Sequence, residues 1–216
     1  ISNDLKTYHK LIDTFIAHWA AVDGALGSAP LVLPDGATRA GFVEAKATLT
    51  ALYQAVESGD NRAQTSTADC LRLKGDLVPR LAQFKATVSG LLPGSRYASA
   101  LAKTPPKTSS QGVVVKALQD TLSLWEQLEA DSAVTLQKPL TLAEGTTLVG
   151  LQSGFTALQS AYSAYATGKA AASAARAQRN EQLKVLDAQM KQYRKTAQAR
   201  LPKGHPLLAN LPSVSR

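Results

Sequence analysis

The sequence has a single cysteine, Cys70, and this scarcity sets the first limits on its chemistry. One cysteine cannot form an intramolecular disulfide, and it cannot supply a cysteine-based metal cage. A lone cysteine inside a helical pattern is typical of a small core residue. Long apolar runs are missing too, since none approaches the ~20 residues needed to cross a bilayer, so no membrane span is expected.

Histidines are also few, and none lies in a metal-binding pattern. His9, His18 and His205 are not part of an ExxH or HExxH sequence, and a metal site in a helical bundle would need several inward-facing Glu and His residues. His18 stands next to Trp19 near the apolar face of a helix, which indicates a hydrogen-bonded packing residue. We therefore expect no metal site.

Phosphate-binding and nucleophile motifs are incomplete. The glycine spacing at 36–41 and at 145–150 is that of a phosphate-binding loop, but Phe42 and Leu151 follow where a Lys and then a Ser or Thr are required. No G-x-S-x-G sequence marks a nucleophile. The sequence therefore predicts a non-enzymatic protein with no catalytic residue and no cofactor.

The first ten residues, ISNDLKTYHK, are polar and do not resemble a secretory signal. The chain begins at Ile1 without an initiator Met, which indicates an N-terminus that is trimmed, processed or not observed. A cytoplasmic location is the default expectation, and the compartment stays open.

What the sequence does contain is an internal repeat. PLVLPDGATRAGF at 30–42 returns as PLTLAEGTTLVGL at 139–151, an offset of 109 residues. The segments that begin at Leu81 and Met190 match at the same offset, and Trp19 corresponds to Trp125 at an offset of 106. Similarity at a constant offset over a connector and a helix indicates two tandem copies.

Apolar residues at three- and four-residue spacing predict an all-α fold, a helical bundle of two tandem three-helix repeats. Each repeat contains a short extended Pro-Leu-x-Leu connector. The predicted segments are a first repeat at 1–105, a linker at 106–112 and a second repeat at 113–216, together one compact pseudo-twofold domain. The predicted helices are 3–26, 38–58 and 61–91 in the first copy, and 113–131, 147–166 and 169–200 in the second.

Two details of this fold are open to test. A chain reversal at 57–61, and its counterpart near Gly168, would make a hairpin of the second and third helices, which we favour over one kinked rod. The two Pro-Leu-x-Leu pieces would pair as a two-stranded ribbon, because each alone would leave backbone groups without partners. Thr38 and Thr147 stand where a helix N-cap belongs.

The charge of +8 is unevenly distributed along the sequence. Residues 1–164 contain 14 basic and 14 acidic side chains, whereas residues 165–216 contain 10 basic and 2 acidic ones. Five of these cations fall within about a third of the circumference of the predicted last helix, and we name them the basic strip: Arg176, Lys184, Lys191, Arg194 and Lys195.

The basic strip suggests a partner of opposite charge. We expect a structural or interaction protein that contacts an acidic protein partner, or assembles with its own copies, through this strip. One alternative is non-specific binding of nucleic acid. Another is a small-molecule binder at the interface between the repeats.

The combination of His18-Trp19, Pro-Leu-x-Leu with a following Gly, Gln-Phe/Tyr-Lys/Arg and Leu-Pro resembles a group of uncharacterised bacterial proteins rich in alanine and leucine. They have the same doubled layout, and the resemblance covers almost the whole chain. It implies a bacterial origin and a duplicated helical unit. It implies no activity, and no site residue is carried over.

Overall fold

The computed structural model describes residues 5–214, and this part of the chain is all-α, as predicted. Six α-helices and one 3₁₀ turn are present between these residues, without a β-strand. The helices are α1 (Leu5–Leu26), α2 (Arg39–Leu91), α3 (Arg96–Ser99), α4 (Gln111–Ala130), α5 (Leu148–Arg200) and α6 (Pro206–Ala209), and the 3₁₀ turn is Ala143–Gly145.

The predicted hairpin of the second and third helices is wrong. Helices α2 and α5 each run without interruption for 53 residues, through both positions where a reversal was expected. The segment around Gly168 is rich in alanine, and one helical glycine costs only about 1 kcal/mol relative to alanine. At 57–61 the turn-forming residues of ESGDN are likewise contained within a helix, because tertiary context can override local propensity.

The chain divides into two compact units, and the division falls inside both long helices. Unit 1 contains the described residues up to Asp60 and those from Ala170 onward, and unit 2 contains Asn61–Lys169. Each unit therefore combines segments from both predicted copies. Unit 1 has the first helix and connector of the first copy, together with the last helix of the second copy. Unit 2 has the first helix and connector of the second predicted copy, together with the last helix of the first predicted copy.

The core of unit 1 is built on aromatic rings from α1, α2 and α5. The indole of Trp19 stacks on the ring of Tyr193 with centroids 4.7 Å apart and an interplanar angle of 29°. Phe15 meets Tyr193 edge-on, and Phe42 lies 5.9 Å from Trp19. All four rings are at most 1% exposed, so they supply much of the apolar area that stabilises this unit.

The core of unit 2 repeats this arrangement with the copies exchanged. Trp125 of α4 stacks on Phe84 of α2, with centroids 4.9 Å apart and an angle of 23°. Phe84 precedes Tyr193 by 109 residues, and Trp125 follows Trp19 by 106. Both tryptophans are completely buried. In each unit, the first helix of one predicted copy is thus packed against the last helix of the other predicted copy.

The two connectors close with the same backbone hydrogen bonds. In unit 1, the N–H of Leu33 donates to the carbonyl of Ala37 (2.9 Å), and Gly36 donates to Leu33. In unit 2, Leu142 donates to Thr146 (2.8 Å) and Gly145 donates to Leu142. Each connector is a closed turn rather than a strand. The predicted ribbon is therefore wrong, since residues 5–214 contain no strand pairing.

The threonines that follow the connectors are helix N-caps, as predicted. The Thr38 hydroxyl accepts a hydrogen bond from Gly41 N–H at 3.3 Å, and the Thr147 hydroxyl accepts one from Gly150 N–H at 3.2 Å. Each cap satisfies one of the N–H groups that the first turn of a helix leaves without a partner. These caps fix where α2 and α5 begin.

An acidic side chain ties each connector to the helix before it. The Asp23 carboxylate accepts the N–H of Leu31 at 2.9 Å. In unit 2, the Glu129 carboxylate accepts the N–H of Leu140 at 3.2 Å and the indole N–H of Trp125 at 2.9 Å. Each carboxylate satisfies one backbone N–H of its connector, and the turn satisfies another, so these groups have partners without a second strand.

Candidate partner-binding surface

The basic strip lies on the part of α5 that belongs to unit 1. The turns of the helix place its five cations on one side, while Leu186, Met190 and Tyr193 are fully buried. The strip and the core thus occupy separate sides of α5, as the periodicity of the sequence predicts.

Three of the five cations have carboxylate partners. Arg176 donates two hydrogen bonds to Asp60 of α2, one of them at 2.7 Å. Lys184 pairs with Glu181 at 3.2 Å, and Lys191 pairs with Asp187 at 2.5 Å, both within α5. The Asp60 partner comes from another helix and was not foreseen from the sequence of α5. Pairing reduces the charge that these three cations present to a partner.

Arg194 and Lys195 remain as adjacent cations without a carboxylate. No Asp or Glu oxygen among residues 5–214 lies within 4.0 Å of either side chain. Lys195 is exposed and Arg194 is partly buried. Both precede the last turn of α5, where the helix dipole would favour positive charge, so the dipole does not account for them.

The charge imbalance of the sequence is redistributed by the fold. Segments 1–60 and 170–216, which make up unit 1, hold 13 basic and 9 acidic side chains, a net charge of +4. Segment 61–169 holds 11 basic and 7 acidic ones, also +4. The excess of the last quarter is offset because that segment packs with the acidic first 60 residues. The positive charge that stays unbalanced is local and lies at the C-terminal end of α5.

The basic strip predicted from the sequence leaves out two cations near the C-terminal end of α5. Arg200 and Lys203 are exposed, and neither lies within 4.0 Å of a carboxylate in the described chain. Residues 188–216 contain six basic side chains and no Asp or Glu. This absence of acids is visible in the sequence. The basic strip was chosen from cations on one face of the predicted last helix. It therefore omits Arg200, which lies on another side of α5, and Lys203, which follows the helix.

A buried phenol lies close to Asp187, the one acid inside the basic strip. The Tyr8 hydroxyl donates to the carbonyl of Leu183 at 3.4 Å. Burial, and secondly the nearby negative charge of Asp187, raise the pKa of Tyr8 to about 12. One oxygen of Asp187 pairs with Lys191, and the other is buried without a hydrogen-bond partner among the described residues.

All three histidines have structural contacts. His18 lies between two partners, with its Nδ1 2.6 Å from the Tyr193 hydroxyl and its Nε2 2.8 Å from the Leu207 carbonyl. Because a carbonyl only accepts, Nε2 carries the proton and Nδ1 accepts from Tyr193. The interpretation of His18 as a hydrogen-bonded packing residue is confirmed. His205 accepts from Leu207 N–H, and His9 contacts Thr50.

Cys70 is buried, as predicted, and burial is the main cause that raises its pKa. A raised pKa disfavours the thiolate, which is the reactive form. Residues 5–214 contain no group of three or more His, Cys, Asp or Glu placed to hold a metal ion. Within the same range, every helix is too short or too polar to cross a lipid bilayer.

Comparison with protein-family models, with curated proteins and with solved structures found no significant match to the chain.

Proposed function

We propose that this protein is a non-enzymatic interaction module that binds an acidic protein surface through the end of α5. The observation that carries the proposal is the adjacent pair Arg194 and Lys195, which has no carboxylate partner within the described residues. Arg200 and Lys203 extend the positive surface toward the end of the helix. The paired cations Arg176, Lys184 and Lys191 are placed at its margin.

The cost of leaving these cations unpaired supports a role in recognition. Like charges four residues apart on a helix repel by a few tenths of a kcal/mol per pair, and Lys191 stands three and four residues before Arg194 and Lys195. Some exposed cations elsewhere in the described chain lie beside an acid, such as Arg72 and Lys116, and others, such as Arg62 and Lys107, do not. Arg194 and Lys195 differ from these in being adjacent in the sequence. A partner that brings carboxylates to Arg194 and Lys195 would relieve this repulsion and gain charge-assisted hydrogen bonds.

The proposal that the protein is not an enzyme is supported by the contacts and burial of its reactive side chains. The ring nitrogens of His18 are both occupied, His205 caps α6, and Cys70 is buried with a raised pKa. General acid–base or nucleophilic catalysis needs such a group within reach of a substrate.

The scaffold in this proposal is a duplicated helical unit whose two copies complete each other. Several matched features support it: equal lengths of α2 and α5, equivalent connector hydrogen bonds, equivalent N-caps and equivalent ring stacks. Each copy contributes its first helix to one unit and its last helix to the other. This exchange would hold the α5 surface on a core that both copies build.

The experiment is cross-linking in the source cell, with the wild-type chain compared with an Arg194→Glu/Lys195→Glu variant. We expect the variant to lose the acidic partner, and to lose any self-association that light scattering detects at low salt. The matched control is Arg62→Glu/Lys107→Glu, which changes the net charge equally at two exposed positions of unit 2. An unchanged partner set in the Arg194/Lys195 variant would overturn the proposal.

Nucleic acid is the second candidate, favoured by the six cations and no acids of residues 188–216. Binding of this kind weakens steeply as salt is added. The logarithm of the binding constant falls with the logarithm of the salt concentration, with a slope of about −0.9 per phosphate neutralised on duplex DNA. An electrophoretic shift assay at ~50 mM salt separates the two candidates, since an acidic-protein binder without affinity for DNA gives no shift.

A further inference from the structure

Unit 2 contains an open pocket between its helices. It has a volume of about 220 Å³, and its lining residues are Thr67, Cys70, Leu71, Lys74, Gln111, Tyr162 and Tyr165. The first four belong to α2, Gln111 begins α4, and the two tyrosines belong to α5. The pocket thus lies where three helices of unit 2 meet.

The corresponding surface of unit 1 is covered by two arginines. Thr67 and Cys70 correspond, at the offset of 109, to Arg176 and Arg179, and Tyr162 corresponds to Tyr53. The Arg179 guanidinium lies over the Tyr53 ring, 5.1 Å from its centroid, and Arg176 is held by Asp60. In unit 2 the small side chains of Thr67 and Cys70 leave this space open.

The open pocket combines apolar walls with hydrogen-bond donors. Leu71 is 64% exposed and Tyr165 is 38% exposed, so both offer apolar surface to a ligand. The Tyr162 hydroxyl is buried and has no hydrogen-bond partner among the described residues. A buried polar group of this kind costs free energy until something binds it.

Lys74 gives the pocket its charge. It is the one charged side chain among the lining residues of the described chain. Its ammonium donates to the Ser109 carbonyl at 2.7 Å, which leaves two of its three protons available. Asp69, beside Cys70 in sequence, does not line the pocket and lies 3.5 Å from Arg72.

We propose that this pocket binds a small organic anion, a carboxylate attached to an apolar body. The carboxylate would accept hydrogen bonds from Lys74 and, once the side chains that cover it move aside, from the Tyr162 hydroxyl, and the body would cover Leu71 and Tyr165. Tight, charge-assisted hydrogen bonds to an ammonium supply the affinity, and apolar contact supplies the orientation. The proposal is independent of the α5 surface, which belongs to unit 1.

The test uses benzoate as the probe and benzylamine as a probe of similar body and opposite charge. In ¹H–¹⁵N spectra of the full chain, benzoate at about 10 mM should shift the amides of residues 67–74 and 162–165, consistent with millimolar affinity. Benzylamine should leave these amides unchanged. No shift with benzoate, or equal shifts with both probes, would overturn the proposal.

Three variants locate the binding site. Lys74→Met should weaken benzoate binding about ten-fold, and Tyr162→Phe about five-fold, because each removes one donor. Cys70→Arg should abolish binding by filling the pocket as Arg179 covers Tyr53 in unit 1. Lys116→Met, an equal charge change outside the pocket, is the control. Undiminished binding in both Lys74→Met and Tyr162→Phe would overturn the proposal, and dispersed spectra establish that each variant is folded.

Discussion

The hydroxyl of Tyr193 lies 2.6 Å from Nδ1 of His18, while the ring of Tyr193 stacks on Trp19. One side chain therefore provides both the apolar and the polar contacts between α5 and α1. The equivalent residue in unit 2 is Phe84, and Leu124 stands at the position equivalent to His18. The hydrogen bond is thus specific to unit 1, whereas the ring stack is common to both units.

Tyr193→Phe should keep the stack and lose the hydrogen bond. Because His18 would then have an unsatisfied buried nitrogen, we expect the free energy of unfolding to fall by about 1–3 kcal/mol. Urea denaturation followed by circular dichroism measures the change. Tyr165→Phe, which removes a hydroxyl from an exposed side chain, should change stability by less than about 0.5 kcal/mol. Equal effects of the two variants would refute the role given to the His18 contact.

Gly59→Ala should destabilise the protein although it lies inside a helix. A Cβ at this position would lie 2.8 Å from the backbone nitrogen of Ala172, and backbone cannot move aside as a flexible side chain can. Gly75→Ala, in the same helix, meets nothing within 4 Å and should stabilise by about 0.5–1 kcal/mol. Thermal melts should therefore shift in opposite directions, and a shared direction would contradict the close approach of α2 and α5 at Gly59.

Alkaline pH should weaken the folded state through Tyr8. Its pKa is raised to about 12 in the folded protein from an ordinary value near 10. The folded state therefore holds this proton more tightly than the unfolded state, so stability is complete below pH ~10 and falls as the pH rises toward ~12. Absorbance titration of phenolate, combined with urea melts, measures the effect. In Tyr8→Phe, the free energy of unfolding should fall less between pH ~10 and pH ~12. An unchanged dependence of the free energy of unfolding on pH would argue against a buried Tyr8 phenol.

Glu129→Gln should loosen the connector of unit 2. The carboxylate accepts hydrogen bonds from Trp125 and Leu140, and a neutral amide oxygen is the weaker acceptor. We expect a loss of about 1 kcal/mol and faster hydrogen exchange at the Leu140 amide. Glu126→Gln, on an exposed side of α4, is the matched control. Unaltered exchange at Leu140 would disprove the tether.

The sequence was sufficient to predict the all-α class, the places of the two connectors and the N-caps that follow them, because each depends on residues close together in the chain. Apolar spacing predicted the buried faces of α1 and α5, and Thr38 and Thr147 marked where α2 and α5 begin. The carboxylate ties of the connectors were missed, since Asp23 and Glu129 are unremarkable acids until the connector folds back to them.

The continuity of α2 and α5 could not be predicted from local propensity. Gly59 and Gly168 suggested reversals, yet Gly59 is required where Ala172 of another helix comes close. Such a contact depends on residues more than a hundred positions apart. The Asp60 partner of Arg176 was missed for the same reason, and with it the even division of charge between the units.

The division of the chain also determines the order in which its cores can form during synthesis. Unit 2 is one contiguous stretch, Asn61–Lys169, so it can close once that stretch has left the ribosome. Unit 1 cannot, because Trp19 of α1 packs on Tyr193 of α5, and α1 must remain without this part of its core until Tyr193 has been synthesised. During that interval the apolar side of α1 is exposed and available to chaperones.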